Sequence, residues 1–281
     1  MSKVAIVTDS TAYIPDDKMQ GLEIYVAPQI LIWGDKTYED GVDITPVEFY
    51  TRLANASVMP SSSQVSPQKF LAIFNDLLSR DFQILAILIS EKLSGTIASA
   101  VQAKETLGNV PIEIVDAQTT AMALGYLDLM TARAAAQGAS LAECKAFAEA
   151  NRSNTGVVFA VDTLEFLHRG GRIGGASRLL GTALGIKPIL EIREGVVEPV
   201  DKVRTRKKSL ARVLELISKK IDNRKPLHLA TLHANSKDDA VELLKMAKEQ
   251  LGGDEFILAE VSPVVGTHAG PGTVGLAFLA G

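Results

Sequence analysis

VVFAVDTLEFLHRGGRIGGASRLLGTALGIKPIL, residues 157–190, is the stretch whose reading decides the fold. It opens as a buried strand, passes through a polar knot at 167–172 (LHRGGR), and ends in a glycine-spaced apolar segment that stops at Lys187-Pro188. Glycines let the backbone take φ > 0 and approach another group closely. Arginines offer forked donors to a carboxylate or phosphate. On composition the knot is either an ordinary turn carrying surface arginines or an edge that faces an anion or a partner. These residues alone leave both readings open.

Upstream of the knot the chain keeps a β-α rhythm. Residues 4–7 (VAIV) form an apolar run that opens at once into Thr8-Asp9-Ser10-Thr11, as strands of α/β sheets do where they present binding groups. Residues 22–31 read as a second strand interrupted at Pro28, and 36–41 as a polar turn or hairpin. Thr45-Pro46 has the form of a cap followed by proline at the first helical position. The run 82–89 (FQILAILI) is apolar throughout, as expected of a parallel strand covered on both faces. Helices are predicted over 67–79, from after the polar stretch 90–96 (SEKLSGT) to Leu107, and over 121–137 and 141–152, with a short strand at 112–115.

Downstream the grammar changes. A hairpin is predicted from 189–192 and 196–199 around Glu194-Gly195. A helix over 206–222, a strand over 227–233, a helix over 237–251 and a strand over 256–261 follow. The fold class read from this order is α/β with two domains. An N-terminal mostly parallel α/β sheet domain is expected over 1–155 and a C-terminal mixed-sheet α/β domain over 156–281.

Composition narrows the function classes. At 281 residues, with 47% hydrophobic and 22% charged residues, the chain is long for one core. A net charge of −4 supplies no global reason to bind nucleic acid or an anionic membrane. The single Cys144 excludes an intramolecular disulfide and fits a reducing compartment. The first residues do not read as a signal peptide, and no apolar run reaches the ~20 residues that span a bilayer. A cytoplasmic, soluble protein is the expectation.

Two hydroxyl clusters, Ser61-Ser62-Ser63 and Ser94-Gly95-Thr96, stand at what read as strand-to-helix junctions. Each alone is most simply a helix cap. Together, hydroxyls and free helix N–H groups bind a carboxylate or phosphate without a full positive charge. That suits an acid whose apolar tail must be buried, because a lysine there would carry a desolvation cost. No Gly-x-Ser-x-Gly elbow is present, and the four histidines (His168, His228, His233, His268) show no zinc spacing. Asp9 and Asp116, at strand ends, are candidate Mg²⁺ ligands or simply turn formers. The run 202–208 (KVRTRKK) lies at a helix start, where the macrodipole disfavours cations, so an anion or acidic partner is expected there. Arg169, Arg172 and Arg204 are then candidates for one basic rim. His268, read in a polar turn, is a structural histidine or a group presented at the mouth of the site.

Five segments, 6–11 (IVTDST), 93–96 (LSGT), 164–174 (LEFLHRGGRIG), 185–189 (GIKPI) and 266–275 (GTHAGPGTVG), appear in an order and spacing that resemble the DegV family of bacterial fatty-acid-binding proteins over essentially the whole chain. The resemblance implies a long-chain fatty acid buried between or within two α/β domains, and no other cofactor or metal. Its carboxylate would be held by Ser62, Ser63 and Ser94, with Gly95, Thr96 and His268 alongside. Serine stands at Ser62 where the family has threonine, and Val65 stands where it has proline. The resemblance further implies an acyl carrier, not itself an enzyme, that presents the carboxylate to a separate ATP-dependent fatty acid kinase serving phospholipid precursor metabolism. Arg169, Arg172 and Arg204, with His268, would dock that kinase or steady the transferred phosphoryl group. The rival expectation is a small-molecule phosphotransferase or hydrolase using Asp9, the serine clusters and Mg²⁺. The glycine-spaced segment 173–186 is expected either to cover the acyl chain or to pack as plain core.

Overall fold

The computed structural model describes residues 3–181 and 185–281. Three sheets organise it. The first is built from β1 (Val4–Asp9), β2 (Ile24–Ala27), β6 (Gln83–Leu88) and β7 (Ile112–Asp116) in the order β2-β1-β6-β7, all parallel. Between β2 and β6 the chain makes a small antiparallel sheet from β3 (Ile30–Trp33), β4 (Lys36–Glu39) and β5 (Ser61–Ser63), in the order β4-β3-β5. The third sheet has six strands: β8 (Thr155–Ala160), β9 (Lys187–Arg193), β10 (Val196–Val203), β11 (Leu227–His233), β12 (Glu255–Glu260) and β13 (Val274–Ala280). Its order is β10-β9-β8-β13-β11-β12, mixed, with β11 and β12 as the parallel pair. The mostly parallel N-terminal sheet and the mixed C-terminal sheet are those the element order predicts.

Ten α-helices among the described residues, with three short 3-10 turns, complete the fold. The short α1 (Asp16–Met19) and α2 (Pro46–Leu53) precede α3 (Pro67–Ser79) and α4 (Thr96–Leu107), which cover one face of the first sheet. Helix α5 (Ala121–Ala136) and α6 (Leu141–Asn151) lie on its other face. After β8 come α7 (Glu165–Arg169), α8 (Arg206–Ile221), α9 (Lys237–Leu251) and α10 (Pro263–Ala269). Helices α8 and α9 cover the outer face of the six-stranded sheet.

Strand periodicity sorts the core. In β1, Ala5 and Val7 point to α3 and α4, whereas Val4 and Ile6 point inward. In β8, Val158 and Ala160 face α8, whereas Val157 and Phe159 face the interior. The inner faces of both sheets share one core, and α5 runs through it. That helix packs on β1 and β6 on one side and on β8, β11 and β13 on the other. It reads AMALGYLDLMTARAAA and is apolar nearly all round, the pattern of a helix without a solvent face. Its one early acid, Asp128, is fully buried and accepts a 2.6 Å hydrogen bond from Thr8 Oγ1. Burial pushes that carboxyl well above the usual range.

Three elements differ from the sequence expectations. The 22–31 run is two strands in different sheets, because Pro28 removes a donor and turns the chain out of the first sheet. Ser61-Ser62-Ser63 is not a helix cap but the edge strand β5, paired with β3 through Ser62 and Leu31, while the cap of α3 is Ser66. His268 lies in the last turn of α10, not in a polar turn.

Because α5 is packed from two sides, truncating it leaves a cavity that little can fill. Leu127→Ala is expected to cost ~2–5 kcal/mol, measured as a lower urea midpoint at an unchanged m value. A loss below ~1 kcal/mol would contradict the two-sided packing of this helix.

Candidate functional site

The first sheet changes winding direction at β1: the chain goes from β1 to β2 on one side and returns to β6 on the other. Open α/β sheets leave a crevice at the carboxyl ends of the strands at such a point. Here β1 ends in Asp9 and β6 runs on to Ile89, and Asp9 Oδ2 accepts a 2.7 Å bond from the Ile89 amide. Just beyond them a cavity of about 160 Å³ lies between the two large sheets. Ile89 and Leu93 line it from the first sheet, Ala121 from the start of α5, and Val157, Phe159 and Leu232 from the inner face of the second. The hairpin β9–β10 adds Ile192 and Val197, and α10 adds Val264 and Val265. Apolar side chains from both sheets thus wall an apolar slot between them.

Polar groups gather at the α10 end. Ser62, Ser63 and Gln64 reach the cavity from the β5 edge, Ser94 from the turn before α4, Arg172 from the knot after α7, and His268 from α10. Ser62 Oγ and His268 Nε2 are 2.7 Å apart. Ser94 Oγ lies 2.9 Å from Thr96 Oγ1, and Thr96 is fully buried behind it. Gly95 gives the Gln64 amide its place, since a Cβ there would come within 2.9 Å of it. Gly170 does the same for His268, whose Nδ1 would sit 2.0 Å from an added Cβ. Arg172 binds the two sides together, donating to the Leu93 carbonyl at 3.0 Å and to the Gly170 carbonyl at 2.8 Å.

The electrostatics are those of a largely neutral polar end with one guanidinium. Burial, and then the charge of Arg172, pushes the His268 imidazole down to about 4, so the ring is neutral at physiological pH. A neutral imidazole orients the Ser62 hydroxyl without placing a buried charge beside it. Helix α10, which carries His268, is anchored by Asp40. One Asp40 oxygen accepts from Ser10 Oγ at 2.7 Å and the other from the Val264 amide at 3.2 Å, in the first turn of α10. Burial pushes the Asp40 carboxyl up to about 7, against hydrogen bonds from Ser10, Val264 and Ser262.

Of the residues singled out in the sequence, Ser62, Ser63, Ser94, Arg172 and His268 line one cavity. Gly95 and Thr96 stand immediately behind Ser94. Arg169 is half exposed and paired with Glu165 at 2.7 Å, and Arg204 is exposed on the link between β10 and α8. In the basic run, Arg206 is taken up internally by Asp162 and Asp239 and by the Gly272 carbonyl. Asp9 accepts from the Thr11 amide and hydroxyl, from Gln29 Nε2 and from the Ile89 amide. Its carboxylate is therefore occupied as a strand-end anchor, and among the described residues no group of three His, Cys, Asp or Glu side chains could hold a metal. Asp116 is a turn former, accepting from the Gln118 amide. Within 173–186, residues 182–184 lie outside the described residues; Ala176 is fully buried, and Ile173 and Leu179 pack against the main core. The sequence reading missed Gln64 and Asp40, which stand in the polar stretches 61–64 (SSSQ) and 35–41 (DKTYEDG) and carry no local signal of their own.

Comparisons with known proteins show what the whole chain is similar to. Residues 3–281 match the profile of the DegV family, described as uncharacterised proteins. A DegV domain-containing protein of Caldanaerobacter subterraneus is 33% identical over 278 residues, covering 99% of both chains. One of Clostridium perfringens is 34% identical over 279 residues, covering 98% of each. Among solved structures, a DegV family protein from Thermus thermophilus described as fatty acid binding superposes with a TM-score of 0.94 at 33% identity over 99% of each chain. DegV from Bacillus subtilis, described as a fatty acid binding protein, gives 0.90 at 28% identity over 100% of each.

A raised carboxyl has a defined signature. Asp40 contributes stability that is fully present below about pH 4 and is lost as pH rises through about 7, on the order of 4 kcal/mol across that window. Asp40→Asn should flatten the fall in unfolding free energy over the same range, compared at each pH by urea titration. A wild-type profile as flat as that of the variant would show that Asp40 does not titrate in the folded protein.

Proposed function

The chain belongs to the DegV family, and from that premise we propose that it binds a long-chain fatty acid in the slot between its sheets and presents the carboxylate to a separate ATP-dependent kinase. One observation carries the reading: an apolar slot ends in a cluster of hydroxyls, a neutral imidazole and a guanidinium. Burying an alkyl chain contributes roughly 0.8 kcal/mol per methylene, so the slot supplies affinity and the polar end supplies register. Ser62, Ser63 and Ser94 donate to the carboxylate, His268 orients Ser62, Thr96 and Gly95 shape the Ser94 turn, and Arg172 offers the balancing charge. Asp9, which the rival phosphotransferase or hydrolase reading requires as a metal ligand, is instead held by four donors of its own chain.

In this role the chain is not itself the enzyme. A carboxylate oxygen of the bound acid attacks the γ-phosphorus of ATP held by the kinase, the bond to the β-phosphate oxygen breaks, and ADP leaves. The carboxylate is already a nucleophile, so no general base is required of this chain. Arg172 at the polar end, with Arg169 and Arg204 outside it, forms the basic face that docks the kinase or steadies the phosphoryl group in transfer. The change of sheet at Thr155 supports a division into domains at residues 155 and 156, with the ligand between them. No helix among the described residues is long and apolar enough to cross a membrane, and the proposed site of action is the cytoplasm.

Mass spectrometry of the purified protein, native and then denatured with organic extraction, is expected to release a stoichiometric fatty acid. A protein that is empty and also fails to take up oleate or palmitate would overturn the reading. Ser94→Ala should weaken retention by ~1–3 kcal/mol through loss of a hydrogen bond to a charged group; unchanged occupancy would remove Ser94 from the carboxylate site. Arg169→Ala and Arg204→Ala should leave occupancy intact while lowering acyl-phosphate formation with a fatty acid kinase. Loss of lipid from either variant would contradict their placement on the docking face.

A further inference from the structure

Beside the slot lies a second cavity. Thr11 and Gln29, which bond Asp9, line the slot, whereas Asp9 itself lines a separate space of about 520 Å³. That space carries four carboxyl groups, from Asp9, Asp16, Asp40 and Glu260, and the Tyr13 phenol, with no basic side chain among its described lining. Asp40 is the member that reaches toward the acyl site.

Asp40 is 2% exposed and joins two walls of the polar end. Its backbone amide donates to the Gln29 carbonyl at 2.9 Å. Ser10 Oγ donates to Asp40 Oδ2 at 2.7 Å and accepts from the Gln29 amide at 3.0 Å. Asp40 Oδ1 accepts from the Val264 amide at 3.2 Å in the first turn of α10, and the last turn of that helix sets His268 Nε2 2.7 Å from Ser62 Oγ. Tyr50 braces the same helix: its hydroxyl donates to the Val261 carbonyl just before α10, and a Cβ at Gly266 would come within 2.2 Å of it.

The titratable groups around Asp40 are acids or neutral. Asp9 ends β1, Tyr13 and Asp16 follow it, Tyr50 comes from α2, Glu260 ends β12, and Asp43 shares the Asp40 turn. Helix α10 brings only the neutral His268. Ionised, Asp40 is a buried charge that Ser10, Ser262 and Val264 solvate but that no cation among the described residues neutralises. Neutral, it donates to Ser10 Oγ instead and still accepts from Val264. Burial pushes the carboxyl up to about 7, so ionisation favours any arrangement in which water reaches it. The closed seat of α10 is therefore lost as pH rises through that value.

We propose that Asp40 is a positioning residue for the carboxylate end and a proton-linked latch on α10: neutral, it holds His268 against Ser62, and ionised, it releases the helix and speeds exit of the bound acid. The inference rests on the fatty acid reading above and deepens it to regulation of the same site. Exit is slow at mildly acidic pH and fast at alkaline pH. His268, pushed down to about 4, does not titrate in that range.

The test is transfer of oleate from the loaded protein to excess methyl-β-cyclodextrin, followed from about pH 6 to about pH 8.5, a window that brackets the Asp40 titration. The wild-type exit rate should rise by about tenfold, one pKa unit of coupling between the proton and the seated helix. Asp40→Asn keeps both bonds of the neutral form, Nδ2 donating to Ser10 and Oδ1 accepting from Val264, so its rate should stay slow and flat. Ser10→Ala removes a bond that favours ionisation and should move the midpoint to higher pH, which decides the matter if the asparagine variant does not fold. A flat wild-type profile, a rise that Asp40→Asn shares, or a Ser10→Ala midpoint that does not move overturns the latch while the fatty acid reading stands. If the purified protein neither holds nor takes up oleate, both fall.

Discussion

Helix α5 is buried on every side over residues 121–129, and its position between the two large sheets is the constraint on which the rest of the structure depends. Packed on β1 and β6 to one side and on β8, β11 and β13 to the other, it holds the sheets apart by its own diameter, about 10 Å with side chains. Where the helix fills that gap there is core. Where it begins, at Thr120 and Ala121, the gap continues without a helix to fill it, and the slot lies there. The cavity is thus a consequence of where the spacer stops. The small residues of α5 let two sheets approach it closely, and the Thr8–Asp128 bond fixes it relative to β1.

The polar end of the slot follows from a second constraint, the cost of burying charge. A carboxylate ligand could be met by a lysine, but an ammonium in an apolar slot is expensive whenever the ligand is absent. The protein uses hydroxyls and a neutral ring, and keeps its nearest cation, Arg172, engaged with two backbone carbonyls. Each of those groups comes from a different element: β5, the turn before α4, the knot after α7, and α10. Arg172 and Asp40 act across these boundaries, the first tying the knot to the Ser94 turn and the second tying the first sheet to the helix that carries His268. Close approaches at Gly95 and Gly170 let the parts meet.

Much of this was legible in the residues. The parallel first sheet followed from the apolar runs at 4–7 and 82–89, because strands covered on both faces cannot alternate. The hairpin around Glu194-Gly195 and the strand-helix-strand ending were readable from period and turn chemistry. Ser62 and Ser94 stood out as members of two hydroxyl clusters at what read as strand-to-helix junctions. The small sheet β4-β3-β5 was not legible, since a three-residue strand of serines has no β propensity and exists only because β3 offers it a partner. Asp40 was hidden for the same reason: in sequence it belongs to a polar turn, and its partners lie 30 and 224 residues away.

What the sequence by itself determined is the alternation of elements, the switch from parallel to mixed sheet, and the kinds of groups available for an acid, because these depend on local period, capping and composition. What only the tertiary structure decided is which of those groups meet. Ser62 and His268 are 206 residues apart along the chain and 2.7 Å apart in space. Two neighbouring arginines, Arg169 and Arg172, have different surroundings, one paired with its own helix and the other at the cavity. Hydrogen bonds and burial act over a few ångströms, and distances of that kind are set by packing across the fold rather than by spacing along the chain.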